Sequence, residues 1–159
     1  MSITIVKNEV KSMKLTTKGR YVVRALLDLA LHQQEEPVLL RDIARRQQIS
    51  LRYLEHLITP LVAAGIVLST RGPRGGISLA RLPEEVRLSE VIQLLEGSIV
   101  LVECINNPET CTRSQFCVTR DIWTELKTAM DGVLGSITLQ NLVERQMAKG
   151  YPAEIMYYI

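Results

Sequence analysis

The chain is poor in aromatic side chains. Phe, Trp and Tyr make up 4% of its 159 residues, with a single Phe and a single Trp. Proteins that coat single-stranded nucleic acid stack successive bases on aromatic rings, and this composition argues against that class. Histidine is also scarce: His32 and His56 are the only two. No Ser/His/Asp set, paired carboxylates or Gly-rich phosphate loop stands at a catalytic spacing, so no enzyme is predicted. No apolar run approaches the ~20 residues that cross a bilayer. Residues 1–11 mix charged and apolar side chains and lack the apolar core of a secretory leader. These absences predict a cytoplasmic protein with no membrane partner. Cysteines number three. In a reducing compartment an odd set of thiols remains free or binds metal.

What the chain does have is charge, unevenly placed. The net charge is +2. Residues 1–82 hold 13 Lys or Arg against 6 Asp or Glu, net +7, and residues 83–159 hold 6 against 11, net −5. A basic N-terminal half fits a polyanion partner, with the acidic half turned away from it.

The basic half is organised around residues 50–80. Ser50 suits a helix N-cap. Leu51, Leu54, Leu57 and Ile58 recur at helical spacing and are expected to face a core. The opposite face presents Arg52, Tyr53, Glu55 and His56, side chains able to reach phosphates or base edges. Pro60 lacks an N–H and is expected to end or kink the helix. Residues 66–70 and 77–80 read as two strands. Between them, Pro73 and Gly75 fit the second and fourth positions of a type I turn, with Arg71 and Arg74 at the tip. A polar-faced helix followed by a cation-tipped hairpin predicts a winged helix-turn-helix that binds double-stranded DNA.

The rest falls into place around it. Residues 1–12 show no period and read as a loose extension. Residues 13–82 form the DNA-binding domain. A first helix runs from Thr17, its expected cap, to about His32, with Tyr21, Ala25, Leu26, Leu29 and Ala30 as its apolar stripe. Lys14, Lys18, Arg20 and Arg24 give its start a positive character, either a solvated face or a set of phosphate contacts. Residues 38–48 supply the next helix, with Leu40, Ile43 and Ala44 inward and Arg41, Arg45 and Arg46 outward. Residues 83–149 hold a helix over 88–96, an apolar stretch at 98–102, a cysteine loop and two further helices; residues 150–159 form a tail. The longest helical pattern starts at Val118 and places Val118, Ile122, Leu126, Met130 and Val133 on one stripe. A long apolar stripe on so small an appendage predicts pairing with a second copy. The fold class is thus mostly α with a small β-hairpin wing and a long C-terminal dimerisation helix.

The cysteines read C-x6-C-x5-C: Cys104, Cys111 and Cys117. Structural zinc needs four ligands, usually in close pairs, and neither condition is met. Three thiolates in one loop suit an iron–sulfur cluster if a fourth ligand is supplied. Thiol redox sensing and inert cysteines remain as the alternatives.

With these motifs together, the chain resembles the IscR family of iron–sulfur cluster regulators, bacterial winged-helix transcription factors. The resemblance spans about residues 13–148. It rests on MKLTTKGRY at 13–21, on RGPRGG at 71–76 with the helix before it, and on the cysteine loop running into VTRDIW at 118–123. It implies that Arg52, Tyr53 and His56 contact bases or backbone in the major groove and that Arg71 enters the minor groove. It implies Cys104, Cys111 and Cys117 as cluster ligands, a 2Fe–2S form ahead of a 4Fe–4S form with one open iron, and a homodimer on a palindromic operator. Control of iron–sulfur assembly or stress genes is the implied role, and repression the expected sign. One departure stands out. Relatives often carry histidine three residues after the last cysteine; here Arg120 stands there and cannot ligate iron. Asp121, Glu103, a group from the partner subunit or a small molecule are the remaining fourth ligands. A winged-helix regulator controlled by thiol oxidation or by a partner protein is the alternative reading.

Overall fold

The computed structural model describes residues 15–150. The extension expected at 1–12, Lys14, and all of the expected tail except Gly150 lie outside the described residues. Among the described residues, seven α-helices and one two-stranded sheet follow in order: α1 (Thr17–His32), α2 (Leu40–Gln47), α3 (Leu51–Ala63), β1 (Val67–Thr70), β2 (Gly76–Leu79), α4 (Leu88–Glu96), α5 (Glu103–Asn106), α6 (Val118–Ser136) and α7 (Leu139–Lys149).

α1 begins at Thr17, the residue expected to cap it, so its cap lies one residue earlier than predicted. Thr16, not Thr17, is the N-cap, and its hydroxyl accepts from the Gly19 N–H. Its buried face carries Val22, Ala25, Leu26 and Leu29, which pack on Ile43 of α2 and on Leu54, Leu57 and Leu61 of α3. Tyr21 and Ala30 lie at the margin of that face, half-buried.

α2 begins at Leu40, two residues later than the periodicity predicts. Val38 is drawn elsewhere: it exchanges both backbone hydrogen bonds with Ile77, each 2.8 Å, and so adds a bridge to the edge of the hairpin. Gly76 permits this approach, since a Cβ there would lie 2.4 Å from the Val38 carbonyl oxygen. α2 ends at Gln48, whose φ of 55° makes it the one non-glycine residue with positive φ among the described residues. A side chain in that region costs about 1 kcal/mol, and glycine avoids the cost. Gln48→Gly should therefore raise stability by up to about 0.5 kcal/mol after glycine's own entropy penalty, a Tm gain of up to about 2 °C by calorimetry. A lower Tm would show that contacts of the Gln48 side chain outweigh the strain.

α3 starts as expected, with the Ser50 hydroxyl accepting from the Tyr53 N–H at 3.3 Å. Two details differ from expectation. Of the two outcomes expected at Pro60, an end or a kink, the helix does not end there and continues to Ala63. The bond that Pro60 removes would have gone to the carbonyl of His56, an exposed residue, where water can replace it. Past the end of the helix the Ala64 N–H donates to the Pro60 carbonyl at 3.0 Å. Leu51, expected inward, is 41% exposed, because the core is reached only from the second turn onward.

β1 and β2 pair antiparallel, with Val67 opposite Leu79 and Thr70 opposite Gly76. The Gly75 N–H donates to the Gly72 carbonyl at 2.9 Å, which puts Pro73 and Gly75 at the expected second and fourth turn positions. Val67, Ile77 and Leu79 face the core.

The C-terminal half joins the same buried cluster. Val86, Val91 and Leu95 from the α4 region and Leu139 from α7 are all nearly inaccessible. The Leu88 N–H donates to the Ile137 carbonyl and the Leu139 N–H to the Val86 carbonyl, so the start of α7 is stitched to the start of α4. Thr138 caps α7 by a reciprocal exchange with Asn141. Residues 104–117, expected as a loop, instead carry three short helical turns: α5, then 3-10 turns at Pro108–Thr110 and Ser114–Phe116. Pro108 opens the second turn, where its missing N–H is harmless. The buried Ser114 hydroxyl contacts the carbonyls of Pro108 and Cys111, each at 2.5 Å, and gathers the segment. α6 runs 19 residues and buries none of them.

Candidate DNA-reading surface and cysteine segment

The polar face of α3 is where the sequence places it. Arg52, Tyr53, Glu55 and His56 are all exposed, as are Arg71 and Arg74 at the hairpin tip. α3 and the hairpin flank an open groove of about 600 Å³, lined by Glu55, Ile58, Thr59, Val62, Ser69 and Thr70. Of the polar face only Glu55 lines this groove; Arg52, Tyr53, His56 and the two tip arginines lie outside it.

The polar tie between α1 and α2 was not visible in the apolar pattern. Asp28 of α1 is 1% exposed. Its carboxylate accepts from Arg46 Nε at 3.0 Å, from an Arg46 terminal nitrogen at 2.5 Å and from Gln47 Nε2 at 2.7 Å. Arg46, expected outward, is turned inward with only 8% of its side chain exposed. A buried carboxylate is tolerated only when paired and hydrogen-bonded, and this demand overrides the polar-outward rule. The only sequence signal was Asp28 itself, an acid set inside the apolar run of α1. Gln47 links this pair to a second array. Arg24 donates from Nε to Gln47 Oε1 at 3.1 Å and from a terminal nitrogen to the Gln47 carbonyl at 2.5 Å. The Arg24 guanidinium also lies over the Tyr21 ring, 5.4 Å from its centroid. Tyr21 meets Tyr53 of α3 edge to face, with centroids 6.2 Å apart and planes at 77°.

The cysteine segment carries three free thiols, with Cys111 exposed and Cys104 and Cys117 half-buried. Among the described residues no three His, Cys, Asp or Glu side chains converge as a metal-ion site. The donor chemistry nevertheless suits thiolate ligation. Cys117 is the N-cap of α6, and its Sγ lies 3.1 Å from the Thr119 hydroxyl. That hydroxyl first, and then the Arg120 backbone N–H, hold the Cys117 thiol below its ordinary pKa. Arg120 has a structural part in place of ligation: its Nε donates to the Cys104 carbonyl at 3.0 Å, tying the first cysteine to α6. Asp121 and Glu103 are exposed beside the segment.

Helices α1–α3, the hairpin and the cationic tip define a winged helix-turn-helix transcriptional regulator. Comparison with known proteins places it further. Residues 15–145 match the Rrf2 family, described as an iron-dependent transcriptional regulator, and the chain belongs to that family. The IscR transcriptional regulator of Xenorhabdus nematophila is 45% identical over 134 residues, covering 84% of this chain and 81% of that protein. The solved structure of T. potens IscR has a TM-score of 0.70 at 40% identity, covering 91% of this chain and 96% of the other. CymR (YrzC), the global cysteine regulator of B. subtilis, has a TM-score of 0.72 at 35% identity, covering 84% and 98%. The chain is a DNA-binding transcriptional regulator and not an enzyme. No helix among the described residues is long and apolar enough to cross a membrane.

Proposed function

We propose that this chain acts in the cytoplasm as a homodimeric repressor that holds an iron–sulfur cluster and reads a palindromic operator. Residues 13–82 read DNA, and residues 83–149 hold the cluster and join the subunits. Arg52, Tyr53 and His56 enter the major groove; Arg71 enters the minor groove and Arg74 contacts backbone. Cys104, Cys111 and Cys117 are the protein ligands, 2Fe–2S being favoured over 4Fe–4S. The genes controlled are those of iron–sulfur assembly or stress. One observation carries this reading: three free thiols lie in the segment that runs into α6, a helix whose exposed apolar face suits a second copy. The likeness to regulators named IscR supports it.

The cluster, when bound, supplies a redox- and oxygen-sensitive link among the three thiolates. The chain does the rest. Cys117 caps α6, and Arg120 ties Cys104 to that helix, so the shape of the segment is felt at the start of α6. α6 packs on α4, and α4 packs on α1 and α3. The pairing of two α6 helices then sets the separation of two recognition helices, which must match half-sites ~34 Å apart.

Anaerobic purification with iron and sulfide analysis tests this. A coloured protein that bleaches in air is expected, since one cluster position has no thiolate. Any one of Cys104→Ala, Cys111→Ala or Cys117→Ala should abolish the colour and leave a folded dimer. Finding neither iron nor sulfide after reconstitution would refute cluster binding. The second reading, control by thiol oxidation, would then stand; the depressed Cys117 pKa favours it, and oxidant-dependent operator binding would be its signature.

The wing has its own test. An arginine in a narrow A·T-rich minor groove gains from the enhanced negative potential there. Arg71→Ala should cost about 1–3 kcal/mol of operator affinity at fixed salt. Arg74→Ala should weaken binding evenly across sequences. Unchanged operator affinity in Arg71→Ala would remove the wing from the interface.

A further inference from the structure

We propose that Tyr21 and Arg24 of α1 are positioning residues for Tyr53, setting the recognition helix through ring contacts rather than touching DNA themselves. The inference rests on the reading of Tyr53 as a DNA contact.

Tyr53 stands in the first turn of α3 and is 38% exposed. A tyrosine so placed can swing, and a swinging side chain reads DNA poorly. Its ring is held from one side by the edge-to-face contact with Tyr21. Tyr21 is itself half-buried against the core, so its own ring is not free to move. Arg24 lies over that ring and supplies a cation–π contact. Arg24 is exposed and near the positive start of α1, which invites the reading of a phosphate contact. Its bonds argue otherwise. Nε and one terminal nitrogen are both committed to Gln47, at 3.1 and 2.5 Å. Gln47 closes α2 and is anchored in turn by the buried Asp28 at 2.7 Å. The guanidinium is thus fixed between the end of α2 and the Tyr21 ring. The train runs from the buried Asp28 through Gln47, Arg24 and Tyr21 to the exposed ring of Tyr53. Positioning needs the Tyr21 ring and not its hydroxyl, and the Arg24 fork and not merely its charge.

The experiment is operator binding by the full chain as purified, measured over a series of salt concentrations. Variants are Tyr53→Ala, Tyr21→Leu, Tyr21→Phe, Arg24→Met and Arg24→Lys, with Tyr21→Leu and Arg24→Met also made in the Tyr53→Ala background. Tyr53→Ala should weaken operator binding about tenfold. Tyr21→Leu and Arg24→Met should each weaken it about threefold to tenfold, the scale of an aromatic or cation–π contact. Tyr21→Phe should match wild type, and Arg24→Lys should fail to rescue. In the Tyr53→Ala background both effects should vanish, as they must if they act through that ring. The slope of log K against log salt should be unchanged in Arg24→Met; loss of a phosphate contact would reduce it by about 0.9. Additive effects in the double variants, or a reduced slope in Arg24→Met, would overturn the inference while leaving Tyr53 a DNA contact. An unchanged affinity in Tyr53→Ala would overturn the DNA-contact reading, and this inference with it. Arg24 is exposed, so Arg24→Met carries the test should Tyr21→Leu fold poorly.

Discussion

Asp28→Ala should destabilise the protein by about 3–5 kcal/mol, the penalty for removing one partner of a buried ion pair. Total stabilities of about 5–15 kcal/mol are usual, so this is a large share of what holds the fold. The carboxylate is 1% exposed and takes hydrogen bonds from both Arg46 and Gln47, and His32 Nδ1 lies 3.4 Å away. Without it, the guanidinium of Arg46 stays in a site with 8% exposure and no anion. The harm is therefore the orphaned charge more than the lost bond. The double variant Asp28→Leu/Arg46→Met removes both charges and keeps the volume, so it should recover much of the stability lost in either single change. Urea unfolding followed by circular dichroism measures all three. An Asp28→Ala protein within 1 kcal/mol of wild type would show that water reaches Arg46 and that the pair is not truly buried.

The same pair shows where the sequence stops being legible. The helices α1, α3 and α6 and the hairpin follow from local rules: apolar residues at spacings of three and four, Ser50 as a cap, Pro73 and Gly75 in a four-residue turn. Those rules are written in neighbouring residues. Arg46 obeys a different demand, set by a carboxylate eighteen residues away, and the polar-outward pattern misassigns it. Val38 leaves its helix for the same kind of reason, a backbone partnership with Ile77 across thirty-nine residues. Pro60 does not end α3, because the bond it removes belongs to the exposed residue His56, where water can replace it. The site divides the same way. The exposure of Arg52, His56, Arg71 and Arg74 was legible, since it needs only amphipathic pattern and turn chemistry. The bracing of Tyr53 by Tyr21 and Arg24 was not, since it needs the crossing of two helices. The cysteine spacing named a ligand set but not its scaffold, which depends on Ser114 and Arg120 meeting backbone carbonyls.

Ile122→Glu with Leu126→Glu should convert the protein to monomers and lower operator affinity by about three orders of magnitude, to the level of non-specific binding. α6 meets α4 along one row: Lys127, Asp131 and Leu134 line a small cleft with Ile92 and Gln93. Beside that row stand Val118, Ile122, Leu126 and Val133, exposed by 74, 55, 40 and 57%. Trp123 adds to the patch at 40% exposure. Monomeric proteins rarely leave so continuous an apolar stripe in water, and a second α6 is a partner of matching length and chemistry. Two glutamates on the stripe would be buried without partners in the pair, which costs several kcal/mol per subunit, yet would be harmlessly solvated in the monomer. The winged-helix core lies on the far side of α4 and does not include either residue, so thermal melting of that core should persist. Sedimentation velocity at micromolar concentration reads the state directly, and the same samples can be titrated with operator DNA. Val118→Glu, nearest the cysteines and most exposed, should give the same result more weakly. A wild-type chain that sediments as a monomer, or a double variant that stays dimeric, would place the subunit contact elsewhere and leave the stripe without a partner.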